Sequence, residues 1–103
     1  MFRIRSNDVL RMQKGKAPAV LLQHGLVSSS ETWILNTVEK APAFVFANAG
    51  YDVWLGNNRG NCYSRRHETL DVDKDFQEFF DYSYTDLGRH DLPAQVAFVC
   101  EQS

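Results

Sequence analysis

Ala49-Gly50-Tyr51-Asp52-Val53-Trp54-Leu55-Gly56-Asn57-Asn58-Arg59-Gly60-Asn61 is the stretch on which the fold turns. Its centre, Tyr51 to Leu55, is aromatic and apolar except for Asp52, with a β-branched residue in the middle, which predicts a strand. Gly56 to Asn61 after it is a polar loop punctuated by glycines. Before it, Pro42 opens a helical stretch from Ala43 to Ala49, and Gly50 stands just past the end, as helices prefer. Further back, Ala19-Val20-Leu21-Leu22-Gln23 is a largely apolar run that ends in His24-Gly25. Such a run suits a strand covered on both faces, typical of a parallel sheet. Strand, turn, helix, glycine, strand and turn make a βαβ unit. The fold class is therefore α/β, with a mostly parallel sheet and a right-handed helical crossover.

The flanks add smaller pieces. Phe2-Arg3-Ile4-Arg5 alternates apolar and charged, like a short half-exposed strand, and Lys14-Gly15-Lys16 separates it from the apolar run at Ala19. Ser28, Ser29 and Ser30 suit a loop or helix caps. Residues 62 to 80 lack clean periodicity and read as an irregular excursion with short helical pieces. A helix is expected from Ser83, with Asp86 three residues on in a capping-box arrangement. Tyr84, Leu87, Ala94 and Phe98 form its apolar stripe, interrupted by Asp91. Pro93 either kinks that helix or stands just after the start of a new one capped by Asp91.

Composition bounds the function. The 103 residues amount to one small domain, and 44% hydrophobic with 23% charged residues exclude a disordered chain. A formal charge of -2 supplies no basic surface for nucleic acid. The acidic residues of the second half alternate with Phe, Tyr and Leu and read as a solvated face. The apolar runs are far shorter than the roughly 20 residues of a membrane span. The opening residues, Met1 to Leu10, lack the apolar stretch of a secretory signal. Cys62 and Cys100 are too few for a disulfide scaffold, lack metal-ligand spacing, and read as free buried thiols.

Gln23-His24-Gly25-Leu26, the string Gly50 to Asn61, Tyr63-Ser64-Arg65, Phe79, Phe80, Ser83, Tyr84, Asp86, Leu87 and Asp91-Leu92-Pro93-Ala94 together resemble the acid lipases of the α/β-hydrolase fold, the gastric and lysosomal type. The resemblance runs from about Ile4 to Val99. It implies that the chain forms the N-terminal part of an α/β-hydrolase domain. It also implies a backbone N–H at Leu26 giving half of an oxyanion hole, on the loop after a strand where such chemistry needs a donor. Gly25 lets main chain approach substrate closely. His24 could serve as a general base in principle; in the family picture it sits beside the hole as a hydrogen-bonded loop histidine.

Gly56-Asn57-Asn58-Arg59-Gly60 has the glycine spacing of a nucleophile elbow, but Asn58 stands where Ser should and cannot usefully attack an ester. The resemblance makes Gly56, Asn57, Asn58, Arg59, Gly60 and Asn61 a loop that ties its neighbours together. No G-x-S-x-G occurs in the 103 residues, and His67, His90, Asp86 and Asp91 do not complete a triad. Residues 1–103 are thus expected to form a partial hydrolase domain ending before the nucleophile elbow. The expected function is hydrolysis of lipid esters by Ser-His-Asp acyl transfer, with no cofactor or metal, the chain alone being inactive. Triacylglycerol, cholesteryl ester and wax ester all fit as substrates. The alternative is a non-catalytic lipase-like module that binds a lipid or the remainder of a lipase. The family is often secreted or lysosomal, and no signal peptide is read in these residues, so the compartment stays open.

Overall fold

The computed structural model describes residues 1–13 and 15–103. It is a small mixed α/β fold built on one open three-stranded sheet. The strands are β1 (Phe2–Ile4), β2 (Ala19–Gln23) and β3 (Asp52–Gly56), in the order β1-β3-β2. β2 pairs β3 in parallel, Val20 opposite Val53 and Gln23 opposite Gly56. β1 pairs the other edge of β3 antiparallel, Phe2 opposite Leu55. One pairing of the two is therefore parallel, and β2 keeps a free edge among the described residues.

The crossover between β2 and β3 carries α2 (Pro42–Asn48), which begins on Pro42 as expected. Gly50 then turns the chain at φ 96°, a conformation that favours glycine. Ala43 and Ala47 face the sheet and form the core with Val53 and Leu55, flanked by Ile4, Leu22, Trp33 and Tyr51. Small residues on the helix let it lie close to the strand. The opposite face of β3 bears Asp52, Trp54 and Gly56. There Arg3 binds both oxygens of the buried Asp52 at 2.8 and 2.5 Å and lies over the Trp54 ring at 4.3 Å. This satisfies a carboxylate that would otherwise be costly in the interior.

The strand covered on both faces is β3, every residue of which is buried. Ala19–Gln23, expected in that role, is only half-buried because it lies at the sheet edge and β1 has taken the other side of β3. Lys14 of the anticipated Lys14-Gly15-Lys16 break lies outside the described residues. Between β1 and β2 the chain forms α1 (Asn7–Arg11), capped by the Ser6 hydroxyl and unforeseen because it spans five residues.

The second half holds α3 (Phe76–Phe79), α4 (Tyr84–Asp86) and α5 (Leu92–Gln102). The capping box of Ser83 and Asp86 forms. A π turn, Leu87–Asp91, joins α4 to α5 without a break, so Pro93 enters within a continuing helix and Asp91 is helical rather than a cap. The wider turn also rotates the helix face. The expected stripe of Tyr84, Ala94 and Phe98 is exposed, and only Leu87 of that set is partly covered. Gln95 and Val99 are the buried pair, one helical turn apart, continuing the line from Leu87 and Asp91. Phe98 still reaches Trp54 edge-on at 5.9 Å. Cys62 and Cys100 are both exposed free thiols, which corrects their reading as buried: Cys62 lies in a loop turn, and Cys100 is on the exposed side of α5, next to the buried Val99.

Candidate functional site

β2 and β3 run parallel, so both end at the same side of the sheet. The loops that leave them, His24–Ser29 and Asn57–Asn61, meet there. His24 is the hinge between them, only 7% exposed. Its Nδ1 lies 2.7 Å from the Gly25 carbonyl oxygen. Its Nε2 lies 3.0 Å from the Asn58 amide nitrogen and 3.2 Å from Asn61 Nδ2.

The Asn57–Asn61 loop is tied by side chains from four separate places. Asn57 Oδ1 accepts the Ser30 N–H at 3.0 Å, and Asn57 Nδ2 donates to the Ser30 hydroxyl at 3.0 Å. Asn61 Nδ2 also donates to Asn57 Oδ1 at 2.7 Å. Asn58 Oδ1 accepts from Gln23 Nε2 at 2.9 Å and from Gln95 Nε2 at 3.4 Å. The Arg59 guanidinium and backbone N–H both reach Asp91, and the Arg59 carbonyl accepts the Tyr82 hydroxyl at 2.7 Å. Asp91 raises the hold of Arg59 on its proton through that hydrogen bond, against a smaller opposing effect of burial. Burial pushes the Tyr82 phenol up, and the negative charge of Asp91 adds to it. Gly60, at φ 84°, passes so close to Tyr82 and Phe80 that no Cβ fits. Gly56 is equally crowded, by Gln95 and Gln23.

The backbone at Leu26 and Val27 is bare. Leu26 is 80% and Val27 98% exposed, and Val27 takes φ 55°, a left-handed conformation unusual for a β-branched residue. Among the described residues the Leu26 N–H has no protein acceptor. Leu26 and Val27 border a cavity of about 600 Å³, whose other walls include Leu35, Phe80, Tyr82 and Leu87. It is large enough to take a chain of methylenes and is lined mainly by apolar groups.

The serines are otherwise engaged. Ser28 bonds Thr32 at 2.7 Å, Ser29 caps the short 3₁₀ turn Ser30–Trp33, and Ser30 is buried on Asn57. No serine hydroxyl bonds a histidine among the described residues. His67 accepts the N–H groups of Thr69 and Leu70 and packs on Phe79, away from this loop pair. No cluster of three metal-ligating side chains occurs among the described residues. None of the described helices is long and apolar enough to cross a membrane. Gln23, Ser30, Tyr82, Asp91 and Gln95 enter the site although the sequence alone does not assign them there. The usable signal was the spacing of Leu87, Asp91, Gln95 and Val99, every fourth residue on one helix face.

An open sheet whose parallel strands deliver two interlocked loops at one end is the arrangement of an incomplete α/β-hydrolase-like domain. Within that class the chain is homologous over most of its length to the acid and gastric lipases. Residues 1–37 match the family described as partial alpha/beta-hydrolase lipase region. Human lipase member M is 45% identical over 98% of this chain. Human lysosomal acid lipase/cholesteryl ester hydrolase is 44% identical over 87%, and gastric triacylglycerol lipase of Rattus norvegicus 44% over 86%. The chain spans under a quarter of these relatives, 23%, 22% and 22% of their lengths.

Proposed function

We propose that these residues form the oxyanion-hole side of a lipid-ester hydrolase. Leu26 donates its backbone N–H to the charge that develops on the ester carbonyl oxygen. His24, Gly25 and the loop of Gly56, Asn57, Asn58, Arg59, Gly60 and Asn61 hold it in place. The unpaired Leu26 amide at the rim of an apolar cavity carries this reading, because a donor already in place costs no reorganisation when the tetrahedral intermediate forms. Serine, acid and base come from a G-x-S-x-G elbow and later residues outside these 103. The serine attacks the carbonyl carbon, a histidine takes its proton and returns it to the leaving alcohol, and water then releases the fatty acid. Triacylglycerols and sterol esters are the substrate class. The remainder of the lipase is the partner that completes the site.

A chimera tests this. These residues replace the matching stretch of rat gastric triacylglycerol lipase, and triacylglycerol hydrolysis is monitored. The chimera turns over, while the 103 residues alone show no turnover of a short-chain chromogenic ester. In the chimera Leu26→Pro, which removes the N–H, lowers kcat by about 10²–10³, and Leu26→Ala costs far less. Equal losses, or turnover by the 103 residues that survives stringent purification, overturn the reading.

A further inference from the structure

We infer that His24 is a positioning residue for the Leu26 amide, acting through the one peptide unit that joins Gly25 to Leu26. The inference rests on the oxyanion reading above.

The partners of the ring fix its proton. A carbonyl oxygen only accepts, and that of Gly25 is 2.7 Å from Nδ1, so Nδ1 carries the hydrogen. A backbone N–H only donates, and that of Asn58 is 3.0 Å from Nε2, so Nε2 is bare. The Asn61 carboxamide nitrogen, 3.2 Å away, is a second donor to the same lone pair. Every polar atom of the buried ring is satisfied in its neutral form with the hydrogen on Nδ1.

The peptide joining Gly25 to Leu26 is trans, as no cis bond occurs among the described residues. Its carbonyl and its N–H therefore point opposite ways from one rigid plate. Holding the Gly25 oxygen at Nδ1 sets the direction of the Leu26 N–H. Among the described residues nothing else holds that plate. Gly25 is exposed, with no atom within 4 Å of where a Cβ would sit. Leu26 and Val27 are exposed and bring little packing. A glycine with two bare residues after it is free to rotate its peptide, and a rotated amide is no oxyanion donor. The other end of the ring is anchored. Asn58, which bonds Nε2, is gripped by Gln23 from β2 and Gln95 from α5. A side-chain chain thus runs from the sheet and its covering helix, through Asn58 and His24, to the direction of one amide.

Two substitutions in the chimera separate this role from simple packing. His24→Asn places a carboxamide nitrogen near the Nδ1 position and can keep the bond to Gly25. His24→Gln places its carboxamide near Nε2, keeps an acceptor for Asn58 and loses the bond to Gly25. The expected result is that His24→Gln lowers kcat about 10²-fold with KM within about two-fold, and that His24→Asn recovers about ten-fold or more. In the unsubstituted chimera, ¹⁵N spectra of labelled histidine show His24 protonated on Nδ1 alone. Equal kcat in the two variants, losses that track thermal stability, or a proton on Nε2 overturn the inference. If Leu26→Pro lowers kcat and His24→Gln does not, the inference alone fails. If Leu26→Pro leaves kcat intact, the oxyanion reading falls and takes the inference with it.

Discussion

Arg59 and Asp91 meet through three contacts: guanidinium Nε at 2.7 Å and a terminal nitrogen at 2.5 Å from Asp91 Oδ1, and the Arg59 N–H at 2.8 Å from Oδ2. The two are unequal in exposure, the arginine side chain at 42% and the aspartate at 9%. Removing Arg59 leaves a nearly dry carboxylate with one backbone donor, whereas removing Asp91 leaves a guanidinium that water already reaches. Arg59→Met is expected to cost about 2 kcal/mol and Asp91→Ala about 1 kcal/mol, with a coupling of about 1 kcal/mol in the double variant after solvent screening. Denaturant unfolding of the chimera measures all three. Strict additivity would show that the pair stabilises nothing.

Asp86 gives a dependence on acidity. Its carboxylate accepts the Ser83 N–H at 2.8 Å and the Ser83 hydroxyl at 3.1 Å. The backbone bond first, then the hydroxyl, holds the carboxyl below its ordinary value of 3.8. A group depressed on folding contributes fully above its unfolded pKa and loses that contribution as pH falls through its folded one. The first turn at Ser83 therefore frays only below about pH 3.8, read as faster exchange of the Ser83 amide. Asp86→Asn abolishes this pH step. A step that survives the substitution points to another carboxylate.

Gly56 is held bare by two carboxamides. A Cβ there would overlap Oε1 of both Gln95 and Gln23, and neither oxygen has a hydrogen-bond partner among the described residues. Gly56→Ala pushes both side chains away from Asn58 and costs about 1–3 kcal/mol as overpacking. Combining Gly56→Ala with Gln95→Ala frees space on the α5 side and recovers part of that cost. A double variant no better than the sum of its parts would place the strain elsewhere.

Much of the fold was legible and part of it was not, for reasons that can be named. Pro42, Gly50 and the apolar runs around them punctuate locally, so β2, α2 and β3 came through the sequence with nearly correct ends. Which strand lies in the middle did not, because centrality is decided by β1 crossing to the far edge of β3, a contact 49 residues apart at Arg3 and Asp52. The π turn was illegible because a single wider turn leaves no compositional trace while it rotates every later side chain. Within the site, His24 and the asparagines stood out as polar residues at strand ends. Gln23 and Gln95 did not, since a glutamine on a strand or helix is ordinary until tertiary packing closes over it.

Among the described residues β2 has one unpaired edge, and Leu26, Val27 and Leu35 are exposed apolar side chains. Free strand edges and apolar patches template association. The 103 residues alone are expected to run as oligomers on size exclusion, to bind ANS and to unfold broadly. A monodisperse monomer with a sharp transition would instead mark a self-sufficient small domain.

Val27 has a consequence that concerns handedness. At φ 55° it sits where the mirror-image amino acid is at ease, and its side chain touches almost nothing. Chirality at this one α-carbon can therefore be inverted without disturbing the packing. In a chemically synthesised chain, D-valine at position 27 should suit the backbone better than the L-valine that the ribosome supplies.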